Sequence, residues 1–305
     1  MDHNKKNLSG VFAPVVTPFD GDDTDLEALA FNLSKLRKTG LTGYLALGSN
    51  GEARSLTDAE RVQVLKVFAA ERGDKIVMVG TGCESTHETI EKSHLAAEMG
   101  FEYVSVLTPS YFAKRMDGEV LLRHYEQIAK QVAVPVLIYN APQFAGGVQV
   151  PPKTVIELAR HPNIVGTKDS SPAGPGRFLP DLDPEEDFSV LAGSLNTFYA
   201  SLHMGAGGGV LSLANIVPDR CVELYDLFLQ GAYDRARELS NTLIRLNKKV
   251  SGTWGVAGVK AAMDLAGFKG GQPRGPLAPA SAEAVAQIRQ ALIGEGCEIP
   301  STGTS

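Results

Sequence analysis

The chain is poor in cysteine: its 305 residues include only Cys83, Cys221 and Cys297. These three form neither an even set nor the spacing of metal ligands, so they predict a reducing compartment and no structural disulfide. Long hydrophobic runs are also missing, since no apolar stretch approaches the roughly 18 residues that a membrane span needs. The first residues contain no apolar signal core. We therefore expect a cytoplasmic protein without a secretory signal.

An excess of positive charge is also missing. The formal net charge is -6, which gives no support for a nucleic-acid partner. His87 and His94 are seven residues apart on a predicted helix, which is about two turns and too far to share a metal ion. We therefore predict no metal site. The chain contains 43% hydrophobic and 21% charged residues, which is the composition of a globular protein with a sizeable core.

Short apolar runs alternate with amphipathic segments along most of the chain. This alternation predicts parallel strands joined by right-handed crossovers. Eight such units in about 215 residues favour a closed (β/α)₈ TIM barrel in the α/β class. An open doubly wound sheet is the alternative, but no Gly-x-Gly-x-x-Gly turn follows the first strand. The predicted strands are Gly10–Val16, Gly43–Leu47, Ile76–Val79, Tyr103–Leu107, Val134–Tyr139, Ile164–Lys168, Phe188–Ala192 and Gly208–Leu213.

The chain contains more predicted helix than a barrel needs. Four helical segments follow the eighth strand, so we predict a C-terminal helical extension. The resulting division is a flexible lead-in over 1–9, the barrel over 10–216, the C-terminal helices over 217–296 and a flexible tail over 297–305.

Lys168 ends a β-branched apolar run that begins at Ile164. Burial of a lone ammonium group is costly, so a lysine in this place has two interpretations. Its head extends into water at the end of the strand, or its amine is held partly neutral and attacks a ketone to form a Schiff base.

Two other strand ends carry polar groups that could act with this lysine. Tyr139 leaves the preceding strand at the same end as Lys168, and a phenol beside an amine is a suitable proton-transfer pair. A packed ring with a hydrogen-bonded hydroxyl is the alternative for Tyr139. The second strand is followed by Gly48-Ser49-Asn50-Gly51-Glu52, which either directs N–H groups at a carboxylate or is an ordinary Asn-Gly turn.

From about Gly10 to Leu277 the chain resembles the dihydrodipicolinate synthase and N-acetylneuraminate lyase superfamily of class I, pyruvate-type aldolases. Within this superfamily it is most similar to 4-hydroxy-2-oxoglutarate aldolase, in the sequence motifs Gly48–Glu52, Gly82–Thr86, His161–Gly166 and Leu213–Asn215. The motifs that carry the superfamily resemblance are Gly48–Glu52, Thr108-Pro-Ser-Tyr111, Tyr139-Asn-Ala-Pro142, Gly166-Thr-Lys-Asp-Ser170, Leu191-Ala-Gly-Ser194 and Pro273-Arg-Gly-Pro-Leu277.

The resemblance implies roles for individual residues. Lys168 would form the Schiff base, Tyr139 would be the acid and base, and Tyr111 would complete a proton relay in a neighbouring subunit of a homotetramer. No metal and no cofactor other than the covalent lysine adduct would be needed. The substrate, a 2-oxo acid with a pyruvate moiety, would be bound by Ser49 and Asn50 at its carboxylate, by Ser170 at its distal part, and also by Gly48, Gly193, Leu211 and Phe144.

The sequence departs from the synthase pattern at two places. Synthases carry an arginine where Phe144 stands, and a neutral ring cannot replace a bidentate guanidinium at a carboxylate. Ser49 and Asn50 stand where that synthase has two threonines. We therefore predict an aldolase that cleaves a 4-hydroxy-2-oxo acid to pyruvate and an aldehyde. The specific substrate that we predict is 4-hydroxy-2-oxoglutarate, which gives pyruvate and glyoxylate. The alternatives are 4-hydroxy-tetrahydrodipicolinate synthase, a 2-keto-3-deoxy sugar-acid aldolase and a non-catalytic keto-acid sensor.

Overall fold

A computed structural model describes residues 8–300 of the chain. In this part, eight parallel strands form a closed barrel in the order β1-β10-β9-β8-β7-β6-β5-β4, as the alternating pattern predicts. An antiparallel pair, β2 and β3, lies outside the barrel. Most of the predicted lead-in (1–9) and the end of the predicted tail (297–305) lie outside the described residues. The strands are β1 Gly10–Pro14, β2 Phe19–Asp20, β3 Asp23–Thr24, β4 Gly43–Ala46, β5 Ile76–Gly80, β6 Tyr103–Leu107, β7 Val136–Asn140, β8 Ile164–Asp169, β9 Ser189–Ala192 and β10 Gly208–Val210.

Helices connect the barrel strands and continue after them. Several begin at the side-chain caps that the sequence supplies, and α2 has a capping box in which Thr57 and Glu60 bond to each other's backbone N–H. The helices are α1 Leu26–Leu36, α2 Asp58–Glu71, α3 Thr86–Glu98, α4 Gly118–Gln131, α5 Pro152–Ala159, α6 Leu195–His203, α7 Pro218–Leu229, α8 Tyr233–Asn247, α9 Thr253–Leu265 and α10 Ala282–Gly294.

The chain separates into two compact units. One unit contains the described residues through Gly10 together with Gly80–Val210, and therefore β6 to β10 and α3 to α6. All residues of β7 and β8 are buried in it, as expected for parallel strands covered on both faces. The other unit contains Val11–Val79 and the chain from Leu211 onward, with α1, α2 and the four C-terminal helices. The predicted domain boundary at residue 216 stays a prediction.

Two barrel strands end at least two residues before their apolar runs predict. β1 ends at Pro14 rather than Val16, and β10 ends at Val210 rather than Leu213. The residues after β10 form a 3₁₀ turn over Ser212–Asn215, in which Leu213, Ala214 and Asn215 are still buried, so hydrophobicity alone does not mark where the strand ends.

Candidate active site

Lys168 lies near the carboxyl end of β8, directly opposite Tyr139 of β7 in the strand register. Both side chains are buried, each with 4% relative exposure. The Lys168 Nζ atom lies 4.0 Å from the centroid of the Tyr139 ring, so the ammonium group is attracted to the aromatic face. The lysine head therefore does not extend into bulk water. The predicted meeting of these two residues is confirmed.

The residues that follow this pair hold the two strand ends together. Asn140 Nδ2 donates to Asp169 Oδ2 at 2.8 Å, and Asn140 Oδ1 accepts from Val150 N at 3.0 Å. The other oxygen of the fully buried Asp169 accepts from the Ser171 backbone N at 2.9 Å and from the Ser171 hydroxyl at 2.5 Å. Since every second residue of a strand points to the same face, Asn140 and Asp169 point away from the face that carries Tyr139 and Lys168. Sequence analysis did not identify this supporting pair, although each member directly follows a predicted site residue.

Ser170 and Gly193 contact each other after β8 and β9. Ser170 N donates to Asn140 O at 2.8 Å, and Ser170 Oγ donates to Gly193 O at 3.3 Å. A Cβ atom at Gly193 would lie 1.9 Å from Ser170 Oγ, so a side chain there would displace the serine. Gln143 Nε2 also donates to Ser170 O, at 3.1 Å. Phe144, next to Gln143, is 54% exposed.

Tyr111 lies in the loop after β6, and its ring is 80% exposed in the single chain. Its backbone is nevertheless fixed, because one oxygen of Glu84 accepts from Ser110 N at 2.8 Å and from Tyr111 N at 2.7 Å. The other Glu84 oxygen accepts from Ser110 Oγ at 3.0 Å. The neighbouring Phe112 ring packs edge-on at 4.9 Å between centroids. Glu84 thus holds the loop in place while it leaves the Tyr111 ring exposed. Sequence analysis did not identify this role of Glu84.

The Gly48–Glu52 turn follows β4 in the other unit. Leu47 and Glu52 have φ angles of 54° and 49°, a left-handed conformation that is strained for residues with a side chain. Thr17 Oγ1 donates to Gly51 O at 2.8 Å. Such strain clusters at binding sites, and it distinguishes this turn from an ordinary connection.

Two predicted binding residues of this unit, Asn50 and Leu211, have hydrogen-bond partners within the unit. Asn50 Nδ2 donates to Ser212 Oγ at 2.9 Å. Leu211, the residue before Ser212, is fully buried and donates its backbone N–H to Phe12 O at 2.9 Å. Sequence analysis missed Ser212, which no motif marks.

Residues 8–300 contain no group of three or more His, Cys, Asp or Glu side chains that is arranged to hold a metal ion. None of the helices described in this range has the length and apolarity to cross a bilayer.

Comparisons with known proteins give relatives that match most of the chain. Residues 7–294 match the Dihydrodipicolinate synthetase family. A 4-hydroxy-tetrahydrodipicolinate synthase of Methanospirillum hungatei is 34% identical over 93% of this chain and 98% of its own length. A probable mitochondrial 4-hydroxy-2-oxoglutarate aldolase of Emericella nidulans is 32% identical, over 95% of each chain.

Solved structures agree with this grouping. Dihydrodipicolinate synthase from Thermotoga maritima superposes with a TM-score of 0.88 at 29% identity, over 95% of this chain and 99% of its own. YagE from E. coli K12, solved in complex with pyruvate, gives a TM-score of 0.88 at 28% identity, over 94% and 98% of the two chains. This chain therefore belongs to the dihydrodipicolinate synthetase family and is one of its carbon–carbon lyases.

Proposed function

We propose that the protein is a class I aldolase that cleaves 4-hydroxy-2-oxoglutarate to pyruvate and glyoxylate through a Schiff base on Lys168. The observation that carries this proposal is the burial of Lys168 against the Tyr139 ring at the paired ends of β7 and β8. A lysine held out of bulk water beside a phenol is placed for Schiff-base chemistry, in which its neutral amine is the nucleophile.

The reaction begins when the neutral Lys168 amine attacks the C2 ketone to form a carbinolamine, which loses water to give an iminium ion. Tyr139 accepts the proton of the C4 hydroxyl group, and the C3–C4 bond breaks to release glyoxylate. The iminium takes up the electron pair of that bond as an enamine. The enamine is protonated at C3, and hydrolysis then releases pyruvate and the lysine amine. No cofactor or metal enters this sequence.

The other predicted site residues bind and orient the substrate in this proposal. Ser49 and Asn50, in the strained turn after β4, hold the pyruvyl carboxylate with the backbone at Gly48. Ser170 contacts the distal part of the substrate. Gly193 has no side chain, so it does not displace the Ser170 hydroxyl group. Leu211 and Phe144 supply apolar surface. Tyr111 completes the proton relay from a neighbouring subunit of a homotetramer.

4-Hydroxy-tetrahydrodipicolinate synthase is the second candidate, because the Methanospirillum relative carries that name. Against it stands Phe144, a neutral and half-exposed ring at the place where synthases carry a carboxylate-binding arginine. The aldolase is favoured for this reason, and the similarity to the Emericella relative supports it.

The deciding experiment incubates the enzyme with 4-hydroxy-2-oxoglutarate, reduces it with borohydride and maps the adduct by mass spectrometry. A pyruvate-derived adduct on the Lys168 peptide, with glyoxylate in solution, is the expected result. A parallel incubation with pyruvate and aspartate semialdehyde tests the synthase, and a panel of 2-keto-3-deoxy acids tests a sugar-acid aldolase.

The outcomes separate the candidates. Faster turnover of aspartate semialdehyde than of 4-hydroxy-2-oxoglutarate would reject the aldolase assignment in favour of the synthase. An adduct of the intact 4-hydroxy-2-oxoglutarate would mean that the enzyme captures the ketone but does not cleave this substrate. The aldehyde half of the true substrate would then differ from glyoxylate. Binding of pyruvate with no adduct on Lys168 would leave a keto-acid sensor and reject Schiff-base catalysis.

A further inference from the structure

Glu52, the last residue of the Gly48–Glu52 turn, is bound on both of its carboxylate oxygens by the C-terminal part of the chain. Its Oε1 atom lies 2.5 Å from Lys260 Nζ of α9, and its Oε2 atom accepts from the Arg274 backbone N at 2.9 Å. The Glu52 and Lys260 side chains are 2% and 1% exposed. Loss of one partner from such a pair leaves an uncompensated charge in the interior, so the pair joins the turn firmly to α9.

Lys260 has no part in the proposed reaction, and its contacts explain what it does instead. Its Nζ atom also donates to Gln272 O at 2.8 Å and lies 4.5 Å from the centroid of the Phe19 ring. The Arg274 guanidinium lies 4.4 Å from the same ring. Burial lowers the pKa of Lys260, and the hydrogen bond with Glu52 opposes that shift. An ammonium group enclosed by protein partners in this way is suited to holding Glu52 and not to attacking a substrate.

The geometry of the turn depends on Glu52. This residue has a φ of 49°, and a non-glycine residue keeps such a conformation only when its surroundings hold it there. Its backbone N donates to Ser49 O at 3.1 Å, so the position of Glu52 determines how the turn closes over Ser49 and Asn50. Lys260 and the Arg274 backbone both contact the Glu52 carboxylate and so oppose a change of this conformation.

We propose that Glu52 and Lys260 are positioning residues, whose buried ion pair holds the Gly48–Glu52 turn in the conformation that binds the carboxylate of the 2-oxo acid. This inference rests on the proposed function, because it takes the Ser49–Asn50 turn as the carboxylate site. Neither residue touches the substrate. Replacement of either residue should therefore slow adduct formation only with ligands that carry a carboxylate next to the ketone.

Pyruvate and acetone test this directly, since acetone has the ketone but lacks the carboxylate. The rate of borohydride trapping on the Lys168 peptide is measured with each compound in the wild type, Glu52→Gln, Lys260→Met and the double variant. We expect the ratio of the pyruvate rate to the acetone rate to fall by about 10- to 100-fold in the variants, the scale on which misplaced positioning groups act. The acetone rate itself is expected to change little.

Glu295→Gln is the matched control, because Glu295 is also a buried carboxylate with two cationic partners. It lies 2.9 Å from Arg245 and 3.0 Å from Lys249, and its side chain is 6% exposed. This variant should lose thermal stability and keep the wild-type trapping ratio. The double variant leaves no orphan buried charge, so it decides the question if the single variants do not fold.

The results distinguish this inference from the proposed function. A wild type that forms no pyruvate adduct on Lys168 rejects the proposed function itself. A wild type that forms the adduct, with variants that keep its pyruvate-to-acetone ratio or lose both rates in parallel, rejects the positioning role of the ion pair. A selective loss with pyruvate, absent in Glu295→Gln, supports it.

Discussion

At the scale of single residues, the chemistry depends on the amine of Lys168. Replacement with Ala removes the nucleophile and leaves the Tyr139 ring without its cation. We expect Lys168→Ala to lose both the borohydride adduct and pyruvate release. Lys130→Ala is the control, because Lys130 is exposed and pairs only with Glu126 on the surface in the contacts described. Substantial pyruvate release by Lys168→Ala would remove this lysine from the mechanism.

The hydroxyl group of Tyr139 is the proposed acid and base. Tyr139→Phe keeps the aromatic face that packs on Lys168 and removes only the hydroxyl group. Turnover should fall by about 10²- to 10⁴-fold, the usual contribution of acid–base catalysis, whereas the pyruvate adduct should still be trapped. Steady-state kinetics and mass spectrometry of the reduced enzyme measure these two effects separately.

Tyr125→Phe is a matched control for that change. Tyr125 is fully buried, its hydroxyl donates to Val106 O at 2.9 Å, and burial raises its pKa, so it stays protonated. Its loss should lower the free energy of unfolding by about 1 kcal/mol and leave turnover unchanged. A similar fall in turnover in both variants would mean that the Tyr139 effect is structural.

The sequence predicted the Lys168 and Tyr139 pair because strand register makes neighbouring ends meet. Glu84 and Ser212 could not be found in this way. Glu84 contacts residues 26 and 27 positions later, and Ser212 contacts a residue 162 positions earlier. Such contacts depend on how loops fold after the strands end, which carries no periodic signal in the sequence.

At the scale of elements, residue spacing marks helix caps more reliably than hydrophobicity marks strand ends. The Thr57 and Glu60 capping box of α2 is an example, because its residue spacing is itself the signal. The segment between β8 and β9 contains two 3₁₀ turns, Pro175–Arg177 and Leu179–Asp181. The β2–β3 hairpin was missed, since strands of two residues show no alternation.

Glu60 links α2 to the C-terminal chain and makes stability depend on pH. Its hydrogen bond with Arg274 lowers the pKa of Glu60 from 4.5 to about 2, and burial partly opposes this. Because the folded state holds the charged form, the stabilisation is present above pH 4.5 and is lost as the pH falls to about 2. The wild type should therefore be more stable than Glu60→Gln at neutral pH, and this difference should shrink across that range.

Chemical denaturation at a series of pH values measures this difference. Glu119→Gln is the control: its carboxylate is 90% exposed and 3.9 Å from Arg123. An exposed pair of this kind contributes only about 0–1 kcal/mol, so this variant should follow the wild type. A difference between wild type and Glu60→Gln that stays constant from pH 7 to about pH 2 would contradict the assignment.

At the scale of the whole molecule, the alternation of strands and helices sufficed to predict the barrel. The C-terminal helices were predicted as an extension, but their contact with the Gly48–Glu52 turn was not. Lys260 lies on a helix with ordinary amphipathic character, and only the three-dimensional structure pairs it with Glu52. A distant ion pair of this kind leaves no local pattern in a single sequence.

The exposed Tyr111 leads to a prediction about the assembled protein. Its ring is 80% exposed in one chain, and the adjacent Phe112 is 66% exposed, whereas their loop is fixed by Glu84. If Tyr111 acts in a neighbouring subunit, Lys168→Ala and Tyr111→Phe subunits should complement each other. A mixed pair then contains one site with an intact Lys168 and an intact Tyr111 from its partner.

The experiment mixes the two variants after reversible dissociation and measures pyruvate release. Random reassociation of equal amounts should restore about a quarter of the wild-type activity, because half of the pairs are mixed and each has one complete site. Lys168→Ala mixed with Tyr139→Phe is the control. Both of these residues act within one chain, so no mixed pair gains a complete site and activity should stay low. Recovery in the first mixture alone places Tyr111 across the subunit interface, whereas mixed oligomers without recovery would confine its role to its own chain or exclude it from the relay.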